Sequence, residues 1–278
     1  MLQKTNHPLQ KSLLDLLRCF VTLVIFAPFY IAIIYSVKSK PELVTNRLAW
    51  PKTIHWENFT IAIRVSNFGL ALKNSAVTTV ISVACITLVC SMAAYIIARK
   101  NNRLYNFLYY VFLGAMIIPF QSIMTPLYVM MKQMGLLNTL LGFVLIKISF
   151  QIAFTVLLVT GFVKTVPRDL EEAASIYGYN IYQVFARIVL PLMQPIILTS
   201  IVLNALNVWN DFQTSLTFLQ KKEVRTVPLT QYFFFGENNI ELGLAFALFM
   251  ISMIPVLVLY FALQKYIISG ITAGSVKG

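Results

Sequence analysis

The sequence predicts an all-α, polytopic membrane protein, and three observations carry that prediction. Hydrophobic residues make up 58% of the chain and charged residues only 12%, about half the charge of a water-facing domain. Mean hydropathy is +0.76. The apolar residues fall in six long runs, each close to the roughly 20 residues with which a helix crosses a bilayer.

The expected spans are about 14–35, 76–97, 107–130, 140–162, 192–216 and 242–263. The first follows a polar stretch holding Lys4, Lys11 and Arg18. No small-x-small cleavage pattern comes after it, so a retained span is expected instead of a removable leader. The third contains Pro119 and Pro126, which neighbouring helices can accommodate. Basic residues crowd two short links: Arg99, Lys100 and Arg103 after the second span, and Lys164, Arg168 and Arg187 after the fourth. The link after the third holds only Lys132. The positive-inside rule then places both termini in the cytoplasm.

Two segments expected outside are long enough to meet a partner. One is 36–75, with Trp50, Pro51 and Trp56; the other is 220–241, with Phe233, Phe234 and Phe235. Such an aromatic run packs on a partner or lies at the bilayer interface.

Charge and composition exclude several functions. The net charge is +12, from 22 Lys+Arg against 10 Asp+Glu. The basic residues sit mostly between apolar runs, where they set topology and meet anionic lipid. No basic cluster with interleaved aromatics stands apart from that pattern, so nucleic acid is not an expected partner. Cys19, Cys85 and Cys90 lie in apolar stretches without CxxC spacing and read as small buried hydrophobes. The histidines, His7 and His55, sit in polar segments. No metal site or His-based catalysis within the membrane is expected.

The stretch 166–191 reads VPRDLEEAASIYGYNIYQVFARIVLP. It has the marks of two short, capped helices. Asp169 is placed to cap the first, with Glu172 three residues on. Glu171 and Glu172 favour that helix's positive end. Gly178 stands where a left-handed C-cap belongs. Asn180 is placed to cap the second helix with Gln183, and Pro191 to close it and begin the fifth span. The result is a cytoplasmic helix-turn-helix elbow: either an ordinary amphipathic connector, or a rigid docking element on which Ala173 and Ala174 allow close approach and Glu172 pairs with a basic group.

The fifth span carries a polar stripe. Ser200, Asn204, Asn207, Asp211 and Ser215 recur at helical spacing, with Asn210 beside them. Such groups are costly against lipid. They line a solute path or hydrogen-bond to neighbouring helices. Lys147, in the fourth span, lies about 10 Å from the outer end and Asp211 about 8 Å, at 1.5 Å per residue. The two either pair, or Lys147 snorkels outward alone.

These residues carry a family resemblance. Glu172-Ala173-Ala174, then Gly178, then Ile188-x-Leu190-Pro191 match seven positions at fixed spacing. The pattern resembles the EAA loop of binding-protein-dependent ABC importer permeases. The ending 269–278, the stretch Trp209-Asn210-Asp211-Phe212, and Asn74-Ser75 are similar to the MalG-type subunit of oligosaccharide importers. The likeness covers nearly the whole chain as one permease domain, with a core of about 70–267. It departs at Asp211, where many relatives have Glu.

The resemblance implies a type I ABC importer permease of six spans that moves a sugar or oligosaccharide inward by alternating access. It implies four partners: a second homologous permease, a cytoplasmic ATPase dimer, an extracellular or periplasmic solute-binding protein, and membrane lipid. Glu172 is then the ion-pairing residue of the elbow, Ala173 and Ala174 its packing face, Gly178 its turn, and the tail reaches the ATPase. ATP and Mg belong to the partner, because this chain has no GxxxxGK[ST] loop. Two alternatives stand beside this reading. One is a secondary transporter coupled to an ion through Asp211 and Lys147. The other is an intramembrane enzyme, which would lack a histidine in any span.

Overall fold

The computed structural model describes residues 8–100, 102–236 and 242–275, with side chains for 12–100, 102–234, 242–258, 260–262 and 264. Every regular element among them is helical. In chain order these are α1 (Pro8–Ser36), α2 (Lys40–Thr45), α3 (Glu57–Val65) and α4 (Phe68–Arg99). Then follow α5 (Arg103–Ala115), α6 (Phe120–Gln133), α7 (Leu140–Val163) and α8 (Asp169–Ile176). The remainder are α9 (Ile181–Leu192), α10 (Gln194–Trp209), α11 (Gln213–Phe218), α12 (Val227–Gly236) and α13 (Leu242–Ser275).

The chain forms two compact units, one from Met1–Phe68 with Gln231–Ile254 and one from Gly69–Thr230 with Pro255–Gly278. In the first, α1 presents apolar side chains outward along its length, among them Leu16, Leu23 and Phe26. Such a surface suits lipid. Lys38 is fully buried, and its Nζ donates to the carbonyls of Asn46 (2.7 Å) and Arg47 (3.2 Å). An ammonium at the end of α2 complements the negative pole of that helix. The Asn58 amide donates to the carbonyls of Ser36 and Lys38, tying α3 to the end of α1. Gly243 is needed here, because a Cβ would stand 2.9 Å from the Lys38 carbonyl oxygen.

The second unit packs α4 and α10 along α7 and gathers α8 and α9 at one end. Its main core contains Ala94, Tyr95, Val159, Ala174, Val189 and Met193. Small residues on α4 let the other backbones approach closely. A second cluster, Ile86, Cys90, Ile97 and Val156, continues the α4–α7 seam. Of the cysteines expected to be buried, Cys90 is, Cys85 is half-buried and Cys19 is exposed on α1.

Four helices are long and apolar enough to cross a membrane, and six if each bent pair is one span. The bent pairs correct two expectations. The third expected span is not one rod: α5 and α6 meet at 100°. Pro119 is extended at the break (φ −70°, ψ 141°), and a proline disfavours helix at the residue before it. α5 has 13 residues, about 20 Å at 1.5 Å per residue, too short to cross alone. Pro126 lies inside α6 without breaking it. The fifth expected span is also interrupted: α9 and α10 meet at 74°, and α10 ends at Trp209.

Thr139 caps α7 by accepting from the Gly142 N–H at 3.0 Å. A Cβ on Gly142 would strike the Leu136 carbonyl oxygen and come within 2.9 Å of Met131 Cε. Gly142→Ala is therefore expected to lower stability by about 1–3 kcal/mol, read as a lower unfolding temperature in detergent. Gly161→Ala is the control, because a Cβ there meets nothing within 4 Å.

Candidate functional site

The elbow is built by its caps. α8 begins one residue earlier than expected. The carbonyl of Arg168 accepts from the Glu171 (2.9 Å) and Glu172 (3.0 Å) N–H groups. Asp169 is already helical and no side chain caps the start. At the other end Gly178 has φ +85°, a conformation costly for other residues. Its N–H donates to Ser175 O at 3.0 Å, and that of Tyr179 to Ala174 O at 3.2 Å. Those two bonds form a Schellman stop. Asn180 and Gln183 then form the expected reciprocal capping box, both bonds 3.0 Å. α9 contains a π-turn over Phe185–Val189. It continues through Pro191 to Leu192, and the break comes at Met193, so Pro191 does not close the helix.

Adjacent glutamates face different ways. Glu171 Oε1 accepts from Arg99 Nε at 2.6 Å, and Glu171 Oε2 from the Tyr95 hydroxyl at 2.9 Å. Arg99 Nη2 donates to the Val166 carbonyl at 2.9 Å. The Arg99 and Glu171 side chains are only 11% and 13% exposed. This pair fastens α8 to the last turn of α4. Glu172 and Ala173 are exposed, with Ile176 and Tyr177 beyond them at 85% and 86%. Ala174 is buried in the core against α4 and α7. The expectation that Ala173 and Ala174 share one docking face is thus corrected. Successive helical residues point about 100° apart, so one alanine packs inward while the other faces out.

The polar stripe is likewise divided. α10 stops at Trp209 and α11 starts at Gln213, so Ser200 to Ser215 do not share one helical face. Ser200 and Asn204 are buried within this unit. Ser200 Oγ donates back to the Ile197 carbonyl, and Asn204 Nδ2 to Thr155 Oγ1 of α7 at 3.0 Å. At the break, Lys147 Nζ donates to Asp211 Oδ2 at 2.7 Å and to Asn207 Oδ1 at 2.9 Å. Asp211 also accepts from the Ser215 N–H (3.0 Å) and the Thr214 hydroxyl (2.9 Å). It thereby satisfies a free N–H in the first turn of α11 and neutralises Lys147 together. Asn207 and Asn210 are exposed.

Three side chains hold the segment after α11. Asn138, with φ 58°, accepts from the Gln220 and Lys221 N–H groups. Asn74 donates to the carbonyls of Glu223 (2.9 Å) and Arg225 (3.0 Å). Ser75 Oγ accepts from the Val227 N–H at 2.8 Å. A cavity of about 1010 Å³ opens between α4 and α10. It is lined by Thr79, Thr87 and Ser91 on one side and by Ile201, Ala205 and Trp209 on the other. The α10 face that meets it is not the polar one.

This fold and elbow have known counterparts. The family profile of the binding-protein-dependent transport system inner membrane component matches residues 87–273. The chain belongs to that family. It is the permease component of an ABC importer, a multi-pass inner-membrane transport subunit that works with an ATPase and a solute-binding protein. The melibiose/raffinose/stachyose import permease protein MelC of Bacillus subtilis is 35% identical over 96% of this chain and 96% of its own. The probable starch degradation products transport system permease protein AmyC of Thermoanaerobacterium thermosulfurigenes is 35% identical over 96% of this chain and 97% of its own. The fold is that of a chain in the crystal structure of a bacterial ABC transporter involved in the import of the acidic polysaccharide alginate. The TM-score is 0.84 at 20% identity, covering 96% of this chain and 99% of that one.

For the permease, sequence reasoning passed over Glu171 as an anchor. The signal was available: three acids on α8, Asp169, Glu171 and Glu172, and two basic residues, Arg99-Lys100, where α4 ends. Of the remaining elbow positions, Ile188 and Leu190 are half-buried and Pro191 is exposed. The residues beyond Ser275 lie outside those described, as do the side chains of the tail 269–278 expected to reach the ATPase.

Removing one partner of a buried ion pair costs on the order of 3–5 kcal/mol. Glu171→Gln is expected to lower the unfolding temperature of the permease clearly, whereas Glu172→Gln leaves it unchanged. Equal effects in a thermal melt would contradict the division of roles. Lys147→Met alone should also destabilise strongly. Adding Asp211→Asn should restore more than half of the loss, because the Asn oxygen can still accept from the Ser215 N–H. A double variant no more stable than the single one refutes the pairing.

Proposed function

We propose that this permease carries a sugar or oligosaccharide inward, driven by ATP hydrolysis on a separate subunit. The observation that carries the proposal is near-full-length likeness to permeases named for sugar import. The multiple sugar-binding transport system permease protein MsmG of Streptococcus mutans adds 33% identity over 92% of this chain and 93% of its own.

Both termini and the elbow lie in the cytoplasm, consistent with Arg99, Lys100, Arg103, Lys164 and Arg168 near one end of α4 and α7. The elbow docks in a groove of the ATPase, which holds ATP and Mg. Glu172 pairs there with a basic group, and Ala173, Ile176 and Tyr177 supply apolar contact. Gly178, Ile188, Leu190 and Pro191 hold the elbow's shape. A second homologous permease completes the pore. Thr79 and Thr87, which line the α4–α10 cavity, have hydroxyls without a hydrogen-bond partner among the described residues. A neighbouring helix can satisfy such groups. Asn207, Asn210 and the Lys147–Asp211 pair are the candidates for contact with sugar hydroxyls. Ser200 and Asn204 support them through helix packing.

Proteoliposomes holding the whole importer and its binding protein test this. ATP-dependent accumulation of one oligosaccharide from a panel is expected. Uptake that needs only an ion gradient would restore the secondary-transporter reading. Glu172→Lys is expected to lower co-purification of the ATPase about tenfold or more, since a like-charge contact costs several kcal/mol.

A further inference from the structure

A second, smaller cavity of about 300 Å³ lies beside the elbow. It sits between the last turn of α4 (Ile97), the start of α5 (Asn106, Tyr109, Tyr110) and the residues after α7 (Lys164, Arg168). Its size is at the lower end of the range for small-ligand sites. Among the described residues, no carboxylate lines it, and neither Lys164 nor Arg168 has an acid within ion-pair distance. Glu171 is turned away to Arg99.

Both cations are held in place. Lys164 Nζ sits 4.8 Å from the centre of the Tyr109 ring, a cation–π distance. Arg168 Nη2 donates to the Arg99 carbonyl at 3.3 Å, which orients its guanidinium. Exposed Tyr110 frames the opening. Such a cavity offers a compact ammonium, a planar fork and phenol groups to one oxyanion. α4 ends at Arg99 and α7 at Val163, both among the helices that can cross a membrane. The cavity thus lies at the ends of two such helices, and basic pockets between membrane helices attract anionic lipid headgroups.

We propose that this cavity is a phosphate site filled by the headgroup of an anionic phospholipid of the leaflet on the elbow side. The lipid phosphate bridges Lys164 on the α7 side to Arg168 at the start of α8. It thereby neutralises two like charges and adds a second tie to the elbow beside the Glu171 anchor.

Native mass spectrometry of the purified importer complex tests this, titrated separately with phosphatidylglycerol, phosphatidylcholine and inorganic phosphate. Phosphatidylglycerol should be retained and phosphatidylcholine should not. Lys164→Gln/Arg168→Gln should weaken retention about thirtyfold, since each basic group near a membrane surface contributes about a fivefold factor. Lys164→Arg/Arg168→Lys should keep it, which separates loss of charge from loss of fold. Equal retention by wild type and the Gln pair, or equal retention of both lipids, overturns the site. Binding of inorganic phosphate with no lipid retained overturns the lipid as its source.

Discussion

The Arg99–Glu171 ion pair is the contact on which the working end of the permease depends. It joins the last turn of a 32-residue helix to an eight-residue helix that has few other ties. α8 is too short to be stable alone, since isolated helices below about 12–15 residues are marginal in water. The pair, the Tyr95 hydroxyl and the buried Ala174 make it an extension of α4. Ala174 of α8 shares one buried cluster with Tyr95 and Val163. Adjacent glutamates divide this labour: one holds the elbow to its own chain and the other is free to meet a partner.

The break between α10 and α11 follows a related logic. Ending a helix inside a span exposes carbonyl and amide groups that lipid cannot satisfy. Asp211 meets the N–H of Ser215, and its remaining charge is met by Lys147. Lys147 in turn reaches Asn207, a turn before the break. One buried cation thus stabilises the end of α10 and the start of α11. A charge pair in this setting is costly unless its hydrogen bonds are complete, and here both partners have several. The exposed Asn207 and Asn210 flank this pair, and Asn207 is held directly by Lys147.

Asn74, Ser75 and Asn138 do for the far end of the second unit what the caps do for the elbow. Each satisfies backbone groups of an irregular segment that would otherwise be unpaired. The irregular backbone of 219–226 is therefore held in one course without a strand or a long helix. Short polar side chains at chosen positions, more than bulk packing, define both ends.

The sequence by itself determined the membrane class, the all-α architecture, the elbow and its two-helix form. Those depend on local chemistry: apolar run length, the Gly178 stop and the Asn180–Gln183 box are each settled within a few residues. Only the tertiary structure decided which of two glutamates anchors the elbow, which of two alanines is buried, and where the third and fifth spans break. A stripe of polar residues at helical spacing implies one face only if the helix is continuous. Continuity failed at Asp211 because a partner on another helix, Lys147, makes an end there affordable. That pairing joins residues 64 apart in sequence, and no local pattern reports a contact between them.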